Sequence, residues 1–346
     1  MKKILAILLA AMMLLALAAC GTTSDEASAP PSDDTAVSDT PVEETEAPSE
    51  PAEAQYVVGI CQQMTHVALD AATEGFKAAL TDILGEGAVE YSEGNAGGEQ
   101  PNCVTIVDGL VSEDVDLILA NATWPLQAAY SATSEIPVLG TSITDYATAL
   151  NIDDWTGTVG GNISGTSDLA PLDQQAAMIQ ELFPNATNVG LLYCSGEPNS
   201  VYQIETIRGY LEEMGYTCEA YAFTDVNDLS SVTQAACDAS DVIYIPTDNT
   251  AAGNTETIAN VVLAAGVPVV AGESGICSGC GVATLSIDYY ELGYTTGEMA
   301  AKILTGEADI STMPIEYAPN VTKMYNAANC EALGITIPEG YTAIEG

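Results

Sequence analysis

Tyr56-Val57-Val58-Gly59-Ile60 is a short, β-rich apolar run, and an amphipathic stretch from about His66 to Leu84 follows it. The first reads as a buried strand and the second as a helix, because strands are short and helices carry a longer period. The unit recurs. Val115-Asp116-Leu117-Ile118-Leu119-Ala120 precedes a helix opening near Trp124-Pro125, and Pro137-Val138-Leu139-Gly140-Thr141 comes next. The pattern restarts at Asn188-Val189-Gly190-Leu191-Leu192-Tyr193 and continues through Asp241-Val242-Ile243-Tyr244-Ile245-Pro246 and Val267-Pro268-Val269-Val270-Ala271-Gly272. Strands alternating with helices build parallel sheets, and two such series predict an α/β chain of two doubly wound parallel-sheet lobes. In these sheets ligands sit beyond the C-terminal strand ends, so two facing lobes would line one cleft.

Ahead of this body the chain changes character. Lys2 and Lys3 precede an apolar run from Ile4 to Leu17, too short to cross a bilayer that needs about twenty residues. Residues 1–19 therefore read as a signal peptide. The run closes in Leu17-Ala18-Ala19-Cys20-Gly21, which resembles a bacterial lipobox and implies lipidation of Cys20. Residues 21–54 hold ten Asp or Glu and no basic or aromatic residue. Such a segment buries too little apolar surface to offset the entropy of ordering, so residues 20–54 are expected to be a disordered, acidic linker. The expected location is the extracellular face of the cell membrane, held by the lipid. The remaining chain of about 290 residues suits two lobes better than one core.

Charge narrows the partners. The chain carries 49 acidic residues against 6 basic ones. Beyond the signal only Lys77, Arg208, Lys302 and Lys323 are basic, which argues against nucleic acid. A ligand rich in phosphate or carboxylate would call for Arg and Lys that are absent. A neutral, cationic or zwitterionic small molecule is expected, with any single carboxylate held by hydroxyls, helix N-termini and backbone N–H groups.

Four segments carry a family resemblance. Gln62 to Asp70 reads Q-Q-M-T-H-V-A-L-D, and Gly160 to Gly165 reads G-G-N-I-S-G. Ile245 to Thr250 reads I-P-T-D-N-T, and Ile287 to Gly293 reads I-D-Y-Y-E-L-G. In order and spacing these resemble type I periplasmic binding proteins, in the tryptophan/tyrosine branch of ABC-transporter substrate-binding lipoproteins. Two departures are Val67 and Tyr146, at positions where that branch tends to carry Pro. The resemblance implies two lobes joined by a hinge, closing on a small ligand (an aromatic amino acid foremost) and then docking on ABC permease subunits as a monomer. A nucleoside or sugar receptor of the same fold is the alternative. It also implies lobe 1 as 55–166 plus 289–315 and lobe 2 as 167–288 plus 316–346. Crossings are expected near Ser164 to Asp168, near Asp288 and near Met313 to Tyr317.

The expected ligand-binding residues follow strand ends. In lobe 1 they are Gln63, Thr65, His66, Asn121, Thr123, Trp124, Thr141 and Ser142. In lobe 2 they are Asn199, Ser200, Thr247, Asp248, Asn249 and Asp288. Asp248 is a natural partner for a ligand ammonium, although Asn199, Ser200, Asp248 and Asp288 also stand where helix caps stand. Trp124, Trp155 and Tyr146 are aromatic candidates for stacking on a ring. His66 is the only histidine, so no His-based metal site or catalytic triad is expected, nor any cofactor. No G-x-S-x-G elbow, P-loop or H-E-x-x-H occurs, so the chain is read as a binding protein and not an enzyme. Eight cysteines follow Cys20, including the pair Cys277-Ser278-Gly279-Cys280. An exported chain permits disulfides, while apolar surroundings suit free thiols, and the pattern of residues leaves both open.

Overall fold

The computed structural model describes residues 54–344; the expected signal peptide, Cys20 and nearly all of the linker lie outside the described residues. The chain alternates strand and helix: β1 (Tyr56–Gln62), α1 (Val67–Leu84), β2 (Val89–Asn95), α2 (Gln100–Ser112), β3 (Leu117–Asn121), α3 (Thr123–Ala132), β4 (Val138–Ile143), α4 (Tyr146–Leu150) and β5 (Ile163–Ser167). The second series runs α5 (Leu172–Leu182), β6 (Asn188–Cys194), α6 (Pro198–Glu213), β7 (Thr217–Phe223), α7 (Val226–Ala239), β8 (Val242–Ile245), α8 (Asn249–Ala252), α9 (Thr255–Ala265), β9 (Val269–Ala271), α10 (Ser274–Gly279) and β10 (Ala283–Ser286). Then come α11 (Tyr289–Leu304), β11 (Glu316–Tyr317), β12 (Thr322–Tyr325), α12 (Ala327–Leu333) and β13 (Thr342–Ala343).

Two sheets result. The first has the order β11-β5-β4-β3-β1-β2 and is parallel throughout. The second has the order β13-β12-β10-β9-β8-β6-β7, with β12 antiparallel to β10. Central strands such as β3, β4 and β8 are buried along their whole length, as both-face coverage of a parallel sheet demands. Each sheet has an apolar layer on either face.

The chain passes between sheets three times: after Ser167, between Ser286 and Tyr289, and between Tyr317 and Thr322. The third passage differs from the expected boundary at 315, because Glu316–Tyr317 pairs with Thr166 and Ser167 on the first sheet. Helix α11 returns to the first lobe and packs on α1 and over β4 and β5. That packing is backbone-close: a Cβ on Gly293 would run into the Ala72 carbonyl, and one on Gly75 into the Tyr290 carbonyl. The α1–α11 pair and the first turn beyond β10 thus form one rigid wall beside the crossings, with Ala68, Ala72, Ile287, Tyr289 and Leu292 buried together.

Candidate functional site

The strands of both sheets end facing one another, and the loops there enclose a narrow, nearly filled cavity. Its walls come from short segments past strand ends. His66 follows β1 and opens α1, where it stands as N-cap without a side-chain capping bond. Ser142 lies near the end of β4 with φ +57°, a left-handed conformation that a non-glycine residue adopts at a cost and that clusters at functional sites. Asp168 follows β5, Asn199 sits in the first turn of α6, and Glu273 precedes α10.

Hydrogen bonding gives the cavity a polarity. His66 Nε2 and Asn249 Oδ1 are 3.1 Å apart across the lobes. Asn249 Nδ2 donates to Glu197 Oε2 at 2.7 Å, so Asn249 Oδ1 accepts and His66 carries its proton on Nε2. His66 Nδ1 is then a bare acceptor, and it has no partner. Asn199 Nδ2 donates to the Thr247 carbonyl at 3.0 Å, leaving Oδ1 unpartnered. Tyr289 OH donates to Asp168 Oδ2 at 2.9 Å, leaving Oδ1 unpartnered. Ser142 Oγ is the fourth such atom. Buried polar atoms ordinarily find partners, so four on one cavity define a place where a ligand supplies them. Three are acceptors, so the matching ligand group is a hydrogen-bond donor.

The electrostatics agree. Burial raises Asp168 to about 6 and Glu273 to about 7. Burial together with the Glu197 charge raises Asp248 to about 7. Burial also lowers the His66 pKa, which keeps its ring neutral. No Lys or Arg lines the cavity; Lys77 and Lys323 pair elsewhere with Glu93 and Glu181. The site is an unneutralised acidic pocket that favours a cation.

Of the expected residues, His66, Ser142, Asn199, Thr247, Asp248 and Asn249 line this cavity. The others do not. Gln63 is buried beneath it and bonds the Trp124 backbone N–H, and Thr65 is exposed and bonded to Asn95. Asn121 is tied to the Leu69 carbonyl and Thr73 inside lobe 1, and Thr123 is buried in the first turn of α3. Thr141 forms a hydroxyl cluster with Thr166 and Thr296 under α11. Ser200 is buried behind Asn199 and bonded to it. Asp288 is exposed and caps α11 through Glu291 N. Asp248 reaches the cavity, but its oxygens accept from Cys194 N at 2.7 Å and Ala251 N at 2.8 Å. Trp124 lies in a separate, outer groove of about 640 Å³ with Met64 and Thr250. Tyr146 is buried, donates to the Gly140 and Thr166 carbonyls and stacks on Trp155; both serve the core of lobe 1.

Three cavity-lining residues, Asp168, Glu273 and Tyr289, and the buried Glu197 behind them escaped the sequence reading. Glu273 had a usable signal, since it follows β9 as Asp248 follows β8. The eight described cysteines are free and buried. Burial holds the thiols of Cys277 and Cys280 far above their usual pKa, which leaves them poor nucleophiles and ligands. Among the described residues no cluster of three or more His, Cys, Asp or Glu could hold a metal, and no helix is long and apolar enough to cross a membrane.

Two α/β lobes that close strand ends on an acidic, partner-seeking cavity define a solute-binding protein. Residues 57–344 match the ABC transporter substrate binding protein family, and the chain belongs to it. It is a transport component and not an enzyme, with a small-molecule ligand and ABC permease subunits as partners, and it works on the extracellular side. It is similar to the "Tyrosine-binding protein" of Clostridioides difficile, 30% identical over 278 residues covering 80% of each chain. It is also similar to a domain from Streptococcus pneumonia solved in complex with L-Trp, with TM-score 0.79, 31% identity and coverage of 85% of this chain and 100% of that one. A ligand-free, open substrate binding protein with adhesive properties from Clostridium difficile gives TM-score 0.65 at the same 31% identity, over 84% of this chain and 99% of that one. The lower score against the open form accords with lobes that already meet through His66 and Asn249.

Proposed function

We infer that this protein captures an aromatic L-amino acid and presents it to its permease. The observation that carries the reading is the set of unpartnered acceptors, His66 Nδ1, Asn199 Oδ1 and Asp168 Oδ1, on a cavity without Lys or Arg. A primary ammonium has three N–H bonds for three acceptors and the charge that buried carboxyls call for. Ser142 Oγ serves the ligand carboxylate, and Ala68, Leu69, Ala252 and Tyr289 supply apolar wall for the side chain. The Tyr-binding relative and the L-Trp complex support the same ligand class. The signal-like N-terminus and Cys20 support a lipid anchor that tethers the body outside the membrane.

The test is calorimetry with L-Trp and with indole-3-propionate, which keeps the ring and carboxylate but lacks the ammonium. The reading requires saturable binding of an aromatic amino acid and at least about a hundredfold weaker binding of its des-amino analogue, about 2.7 kcal/mol. Equal affinities would refute it.

A further inference from the structure

We propose that Glu197 is a positioning residue that sets the donor–acceptor polarity of the His66 and Asn199 side of the ligand cavity by orienting two asparagine carboxamides; the proposal rests on the reading that the ligand carries an ammonium. Glu197 is fully buried. Its oxygens accept from Asn249 N at 3.0 Å and Nδ2 at 2.7 Å, from Thr250 N at 2.8 Å and Oγ1 at 2.7 Å, and from Asn199 Nδ2 at 3.2 Å. Every partner is a donor, and none is a charged group.

A carboxamide has two nearly isosteric ends, and only its partners decide which end faces where. Turning Asn199 would bring its oxygen against the Glu197 carboxylate and aim an NH₂ at the cavity in place of the unpartnered Oδ1. Turning Asn249 would set an NH₂ against His66 Nε2 and so favour the other ring tautomer. His66 Nδ1 would then carry a hydrogen and change from acceptor to donor. Glu197 therefore holds Asn249 Oδ1 and, through Asn249, His66 Nδ1 as acceptors, and it shares the hold on Asn199 Oδ1 with the Thr247 carbonyl, which takes Asn199 Nδ2 at 3.0 Å. Glu197 itself does not line the cavity. Removing its charge releases that polarity without taking away a cavity-lining side chain.

The test is Glu197→Gln, whose amide can pair with a reversed asparagine oxygen. Affinity for L-Trp is expected to fall at least about tenfold while affinity for indole-3-propionate holds, so the ratio of the two falls by the same factor. If both affinities fall equally, or neither changes, Glu197 is only a fold residue and the proposal is overturned. If the wild-type protein binds no aromatic amino acid, the functional reading fails instead. An independent measurement needs no ligand. In the ligand-free wild-type protein the side-chain NH₂ groups of Asn199 and Asn249 should be protected from hydrogen exchange, with assignments taken from Asn199→Asp and Asn249→Asp. Exchange at the rate of surface asparagines would also overturn the proposal.

Discussion

His66 Nε2 of the first lobe meets Asn249 Oδ1 of the second at 3.1 Å, so a ring on the ligand cavity is also a clasp between the lobes. On the proposed reading, closure and ligand recognition share one side chain. His66→Ala removes both an acceptor for the ligand and the inter-lobe bond. Ligand affinity is expected to fall by about 1–3 kcal/mol, and small-angle scattering of the variant with saturating ligand should show a more open particle. An unchanged affinity and shape would assign closure elsewhere.

Acidity should weaken capture. Asp168 and Glu273 titrate at about 6 and about 7 because burial disfavours their charged forms. A bound ammonium on the free Asp168 Oδ1 favours the ionised carboxylate, so affinity rises with pH and drops about tenfold per unit below about pH 6. Folding stability runs the opposite way. Carboxyls with raised native pKa stabilise the fold fully below their unfolded values near 4, and that contribution is lost as pH rises through 6 to 7. Calorimetry from pH 5 to 8 and urea unfolding over the same range check both signs. In Asp168→Asn the affinity should be lower and its pH slope flatter.

Asp248 acts chiefly through the helix it starts. Both of its oxygens are committed to backbone N–H groups, so Asp248→Ala should cost about 0.5–2 kcal/mol of stability as a lost cap. The cost is read as a lower urea midpoint. Wild-type stability with lost affinity would instead return this carboxylate to the ligand.

The α1–α11 wall admits no extra atom. Gly293→Ala places a methyl against the Ala72 carbonyl, and the helices can part only as a pair. A loss of about 1–3 kcal/mol is expected, with a lower melting temperature. A variant as stable as wild type would mean that the wall yields.

The two series of apolar runs were legible because parallel strands buried on both faces need continuous Val, Ile and Leu, and Leu117–Asn121 and Val242–Ile245 are of this kind. Strand β11 was not, since Glu316–Tyr317 has no apolar run and is defined only by its pairing to β5. The site was legible in part. Residues past strand ends were identified, and Ser142, Asn199 and Asn249 line the cavity. Thr141 and Asn121 sit equally near strand ends, yet α11 and α1 cover them, and that cover depends on packing between distant segments. Glu197 and Glu273 were lost among 49 acidic residues, because burial singles them out and burial is a property of the closed lobes.

The most direct measurement is a calorimetric titration of the purified protein with L-Trp, L-Tyr and L-Phe, followed by nucleosides and sugars. One aromatic amino acid at least should bind saturably at one site per chain, with nucleosides and sugars silent. Saturable binding of a nucleoside or sugar, with no heat from any amino acid, would contradict the account.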